Sequence, residues 1–131
     1  MAVMLDSDTC IHIMKRDPRM KPKAALAECG ISQIVLGELE YGVSNSPEIR
    51  QLDNRKSLYD FLSAVHIHPL TNEVAGVYGE VRAVLRRQGM LIGPNDMWIA
   101  AHALALDATL VTNNTREFER VPDLVVGNWI E

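Results

Sequence analysis

At 131 residues, 47% hydrophobic and 23% charged, the chain is long enough for one domain with a substantial core and leaves little room for a second, so residues 1–131 are read as a single domain. Its net charge of −4 argues against a protein that coats nucleic acid indiscriminately, since that mode is driven by phosphate neutralisation. No run approaches the roughly 18 apolar residues that span a bilayer, and Met1–Asp6 is too short and too acidic for a signal peptide, so the cytoplasm is the expected location.

In chain order, Ala2–Leu5 reads as a buried strand, and Ser7-Asp8-Thr9 offers cap chemistry for a helix from Thr9 to about Lys15, stopped by Asp17-Pro18. Pro22–Cys29 reads as a second helix closed by Gly30. A strand is expected at Ile31–Val35, then a helix at Gly37–Val43 carrying Glu38 and Tyr41. Asn45-Ser46-Pro47 starts a longer helix in which Leu58, Phe61, Leu62 and Val65 form a one-sided stripe. Val65–Leu70 alternates like a short edge strand. Thr71-Asn72-Glu73 caps a helix with Val74, Val77, Tyr78, Val81 and Leu85 inward, closed by Gln88-Gly89. The next helix starts at Asp96 with Asn95 as its cap, Thr109–Thr112 is a fourth strand, and Leu124–Val126 a fifth. Strands that alternate with helices point to an α/β fold of three layers around a mainly parallel sheet of four to five strands. Cys10 and Cys29 lack C-x-x-C spacing and are read as reduced core thiols in helical surroundings.

Four acidic residues fall just beyond strand-like runs or at helix starts: Asp6, Glu38, Asp96 and Glu117. Ligands of an open parallel sheet bind outside the carboxyl ends of its strands, so the four can share one rim. Asp96 alone could be a first-turn acid that favours the helix dipole; together they call for a counter-charge. Two unit charges about 4 Å apart repel by roughly 4 kcal/mol at an effective dielectric near 20. All-oxygen ligands suit Mg²⁺ or Mn²⁺ and argue against structural zinc. His66 and His68 share one strand face but lack a third ligand nearby, and His102 reads as a satisfied core histidine. Trp98, beside Asp96, is a packing residue or a lining of the entrance.

At these residues the chain resembles the PIN-domain ribonucleases, and among them the VapC toxins of VapBC toxin–antitoxin pairs. Met4-Leu5-Asp6-Ser7-Asp8-Thr9-Cys10-Ile11 is similar to the family's M-L-D-T-N-x-x-I, and Gly37-Glu38-Leu39-Glu40-Tyr41-Gly42 to its A-E-L-x-x-G. Gly93-Pro94-Asn95-Asp96 with Ile99-Ala100-Ala101-His102-Ala103 resembles the third motif, and Leu110–Phe118 the fourth. Two departures stand out. Asp8 replaces the usual Asn, as a ligand, a helix cap or a neutral change, and Asn114 stands where the family often has Asp, which makes Glu117 the fourth acid.

The resemblance implies a PIN-like fold, hydrolysis of RNA phosphodiester bonds with Mg²⁺ or Mn²⁺, and a structured substrate such as tRNA, initiator tRNA included. Asp6 and Asp96 are assigned as metal ligands, Glu38 as ligand or as general base through water, and Glu117 as ligand to a second ion or hydrogen-bonded support. Thr112 and Asn114 orient them. Replacing Asp6 or Asp96 by Ala is expected to stabilise the metal-free fold by removing repulsion. Lys15, Arg16, Arg19, Lys21, Lys23, Arg82, Arg86 and Arg87 are candidate RNA contacts, or simply a solvated face. The implied partners are a VapB-like antitoxin, whose arm would bring an Arg or Lys to the acids, and a second copy of the chain. The rival readings are an inactive PIN-like adaptor for RNA or protein and a metal-dependent nuclease acting on DNA.

Overall fold

The apolar run Ala2–Leu5 forms β1, with Met4 and Leu5 fully buried, and takes the central place in a five-stranded parallel sheet. The computed structural model describes residues 2–130, in which helices cover both faces of that sheet. The elements follow as α1 (Ser7–Met14), β2 (Cys29–Ser32), α2 (Gln33–Ser44), α3 (Glu48–Leu62), β3 (His66–His68), α4 (Asn72–Arg87), α5 (Pro94–Ala105), β4 (Ala108–Val111), α6 (Thr115–Phe118) and β5 (Val125–Gly127). The strand order is β3-β2-β1-β4-β5, with Leu5 beside Val111 and Met4 beside Gly30. Strand order therefore reverses at β1 and β4, the place where an open parallel sheet leaves a crevice.

Several local expectations are corrected. The cap of α1 is Asp6, not the Ser7-Asp8-Thr9 group: its backbone is extended and its Oδ1 accepts the Thr9 N–H at 2.9 Å. Residues 22–29 do not form a helix. Only a 3₁₀ turn at Leu26–Glu28 remains, and just before the stretch Met20 pairs with Ile130 and the Lys21 N–H bonds to the Trp129 carbonyl at 2.6 Å, which ties its start to the C-terminal segment. Helix propensity yields to tertiary context there. The second strand lies at Cys29–Ser32 rather than Ile31–Val35, and Ser32 caps α2 by accepting the Ile34 N–H at 3.1 Å.

Gly30 is thus a strand residue and not a helix stop. A Cβ there would lie 2.3 Å from His68 Nε2, so only glycine lets that imidazole rest on the strand. Helix α5 begins at Pro94, with Gly93 rather than Asn95 in the cap position. Its small residues Ala100, Ala101 and Ala103 are fully buried, which lets it pack closely. Cys10 and Cys29 are buried and unpaired, as expected, although Cys29 sits in β2. Among the described residues no helix is long and apolar enough to cross a membrane.

Candidate active site

Asp6, Glu38 and Asp96 line one cleft of about 110 Å³ with Ser7, Asp8, Ile99, Asn114 and Phe118. Each acid arrives from a different element. Asp6 is where β1 ends, and its backbone N–H bonds to the Val111 carbonyl of β4 at 3.1 Å, which fixes it at the switch point. Glu38 sits in the second turn of α2, and Asp96 in the first turn of α5. Glu117 comes from α6, the short helix that follows the β4 loop.

The hydrogen bonds around these acids are specific. Asp6, 7% exposed, accepts from the Thr9 N–H and from the Thr112 side chain. Thr112 in turn accepts the Asn114 N–H at 2.9 Å, which links Asn114 to the Asp6 carboxylate through one hydroxyl. Glu38 accepts from Ser7 Oγ at 2.5 Å and from Asn95 Nδ2 at 3.5 Å. Glu117 Oε1 accepts the Gly93 N–H at 3.1 Å, and its Oε2 accepts from Asn114 Nδ2. Glu117 therefore anchors the start of α5 and with it Asp96.

The charges oppose one another. Burial pushes the Asp96 carboxyl up to about 7, helped by the charge of Glu117, a hydrogen bond shared with Glu117, and the charges of Glu38 and Asp6. Burial also raises Asp6, with a smaller push from Asp8, against the lowering effect of its Thr112 and Thr9 hydrogen bonds. Asp8 is exposed at the mouth of the cleft; the cap role belongs to Asp6.

Among the described residues no three His, Cys, Asp or Glu side chains form a ready-made ligand cage. Mg²⁺ keeps several of its waters and needs only one or two carboxylates, so an all-oxygen cleft whose acids repel one another fits that ion.

Ser7 and Asn95 escaped notice as site residues because both were read as cap chemistry. Their adjacency to Asp6 and Asp96 was the available signal. Trp98 does not line the entrance: it stacks on Tyr78 of α4, centroids 3.8 Å apart and planes 5° apart. His102 is buried and bonded to Ser32 Oγ at 2.8 Å, and the His68 ring lies edge-on to it at 6.1 Å. Of the basic candidates, Arg19 is held by Asp17 and Arg82 by the Tyr78 hydroxyl, whereas Lys15 lines a separate groove that also reaches Glu38.

Glu117→Gln should impair cleavage more than Asn114→Ala, because it removes a charge as well as weakening the Gly93 anchor. Initial rates on one RNA, with both variants checked for native melting, decide this. The reverse ranking would make Asn114 the group that completes the site.

Fold and cleft together define an α/β/α protein with an acidic cleft where the strand order of its parallel sheet reverses. The PIN domain family pattern matches residues 3–124. Ribonuclease VapC2 of Rickettsia felis is 41% identical over 134 positions, covering 98% of each chain. The tRNA(fMet)-specific endonuclease VapC of Salmonella typhimurium is 37% identical, covering 96% of each. Among solved structures, VapBC2 from Rickettsia felis bound to a DNA fragment from its promoter superposes with a TM-score of 0.86 at 39% identity, over 98% of this chain and 99% of that one. The chain belongs to the PIN-domain family and, within it, to the VapC ribonucleases.

Proposed function

We propose that this chain is the toxin of a VapBC pair and hydrolyses a structured RNA, tRNA in particular, with Mg²⁺ or Mn²⁺ held by Asp6 and Asp96. The observation that carries the reading is the convergence of Asp6, Glu38 and Asp96 on one cleft, where burial first and the charges of Glu117, Glu38 and Asp6 after it push the Asp96 carboxyl up to about 7. A fold that only binds has no reason to bear such a penalty. The tRNA reading is supported by the Salmonella relative, whose name specifies tRNA(fMet).

A divalent ion in this cleft would supply positive charge beside the scissile phosphate and lower the pKa of the attacking water. The chain's own residues do the rest. Thr9 and Thr112 fix the Asp6 carboxylate, Ser7 and Asn95 aim Glu38, and Glu117 holds the α5 start that presents Asp96. Glu38, free of any cap duty, would serve as a further metal ligand or take the proton of the attacking water.

An antitoxin would silence the cleft. A groove of about 290 Å³ between α1, α2 and α3, lined by Ile11, Met14, Leu39, Val43 and Leu58, ends at Glu38 and is suited to an apolar arm from a VapB-like protein. A basic side chain at the tip of that arm would pair with the carboxylates in place of the metal. For a homodimer, the outer side of α3 offers Ile49 and Leu52, 91% and 82% exposed.

The test is to incubate the purified protein with tRNA, Mg²⁺ or a chelator, and to sequence RNA ends after brief expression in cells. Discrete tRNA cuts that vanish with the chelator are expected. Binding without cutting would favour the adaptor reading, and cutting of DNA alone would favour the DNA-nuclease reading.

A further inference from the structure

The cations best placed to meet a polyanion lie around one short loop beside the cleft. Helix α4 ends with Arg86 and Arg87, and Gly89, with φ +67, turns the chain into residues 90–93 that lead to α5. Met90 and Leu91 of this loop are 41% and 47% exposed. From the other side, Arg120 Nη1 donates to the Leu91 carbonyl at 3.2 Å, while Glu117 bonds to the Gly93 N–H. Two side chains that follow β4 thus hold the loop against the active site. Arg116, exposed, precedes Glu117 in α6, while Arg120 follows the helix's end.

Among the described residues, Arg86, Arg87 and Arg116 enter no ion pair, although the chain as a whole carries a net charge of −4. These cations, two just before the loop in sequence and one beside Glu117, are free to meet the phosphates of a polyanion. In the basic stretch at residues 15–23, Asp17 takes both the backbone and the guanidinium of Arg19, whereas Lys15, Arg16, Lys21 and Lys23, among the described residues, likewise enter no ion pair; what sets Arg86 and Arg87 apart is the loop after them, which Arg120 and Glu117 bond.

We propose that Arg86, Arg87 and Arg116, with Met90 and Leu91 between them, form the surface over which RNA enters the cleft. The arginines take backbone phosphates, and an unstacked base rests on the two apolar side chains. The occupant is single-stranded or looped RNA, because a duplex keeps its bases stacked and would leave Met90 and Leu91 without a partner. Arg120 is a positioning residue that keeps the loop in place. The inference rests on the ribonuclease reading for its substrate, but its test reads binding rather than cleavage.

The experiment is fluorescence anisotropy of the full chain carrying Asp96→Asn, with a labelled single-stranded RNA and a labelled tRNA, across roughly 50–300 mM KCl. Each phosphate contact contributes about 0.7 to the slope of log affinity against log salt for a single strand. Arg86→Gln/Arg87→Gln/Arg116→Gln should therefore flatten the slope by about 2 and weaken binding at least about tenfold near 100 mM salt. Met90→Ser/Leu91→Ser should weaken binding with the slope kept, and Lys21→Gln/Lys23→Gln should match the parent. An unchanged slope in the arginine variant, a slope lost only in the lysine variant, or no RNA binding by the parent overturns the proposal. RNA bound with the expected slopes, but left uncut by the wild-type chain in Mg²⁺, would sink the ribonuclease reading and leave this surface standing.

Discussion

Asp96→Asn is expected to abolish Mg²⁺-dependent RNA cleavage, by about 10³-fold or more, equivalent to at least roughly 4 kcal/mol of barrier, and to relieve any growth arrest caused by expression. The same change should make the metal-free protein more stable at pH 8 and leave it nearly unchanged at pH 3. The sign follows from linkage. Asp96 has its folded pKa raised from the ordinary 3.8 to about 7. Well below pH 3.8 both folded and unfolded chains hold the proton, and the group contributes nothing. As pH rises towards 7 the unfolded chain ionises first, so Asp96 increasingly opposes folding, and above 7 the deficit is constant. Since Asp96 is only half-buried and water screens its neighbours, the deficit is about 1–2 kcal/mol, a melting shift of roughly 3–10 °C. Thermal melts of both proteins at the two pH values, with chelator and then with Mg²⁺, check this. Mg²⁺ should raise the parent's melting temperature at pH 8 far more than the variant's. Equal responses, or full cleavage by the variant, would remove Asp96 from the site.

Asp6→Ala should be just as inactive, yet its stability should move differently. The expectation that removing either acid relieves strain overlooks the second duty of Asp6, which caps α1 through the Thr9 N–H. Losing a cap costs about 1 kcal/mol, and the Thr112 side chain loses its carboxylate partner as well. Asp6→Asn keeps a cap acceptor and removes the charge. Both variants should fail to cleave RNA, with the Ala form about 1 kcal/mol less stable than the Asn form. Chemical denaturation of the metal-free pair measures the difference. Equal stabilities would mean that the Thr9 bond contributes little in solution.

The alternation of strands and helices could be read from the chain because each strand is a short apolar run and α4 carries a clear inward stripe of Val74, Val81 and Leu85. The acids were legible for the same reason: a carboxylate directly after a buried strand is out of place unless it has work to do. What failed was set by partners distant in sequence. Residues 22–29 have helical composition, but pairing of Met20 and Lys21 with residues more than a hundred positions away ties down the start of the segment. Asp6, Ser7, Asp8 and Thr9 all have cap chemistry, and only the end of β1 decides which one serves. Arg116 belongs to a motif read for its acids alone and Arg120 lies just past it, and the contact of Arg120 with Leu91 exists only once this segment folds against the start of α5.

The contact between Gly30 and His68 also governs the outermost strand. Sliding β3 by one position along β2 would turn every side chain of that strand to the opposite side, placing Ile67 where the imidazole now nests and carrying His68 away from His102. The bare α-carbon of Gly30 thus acts as a notch that accepts one ring in one alignment, and a three-residue edge too short to choose its own pairing inherits its registration from a missing methyl group.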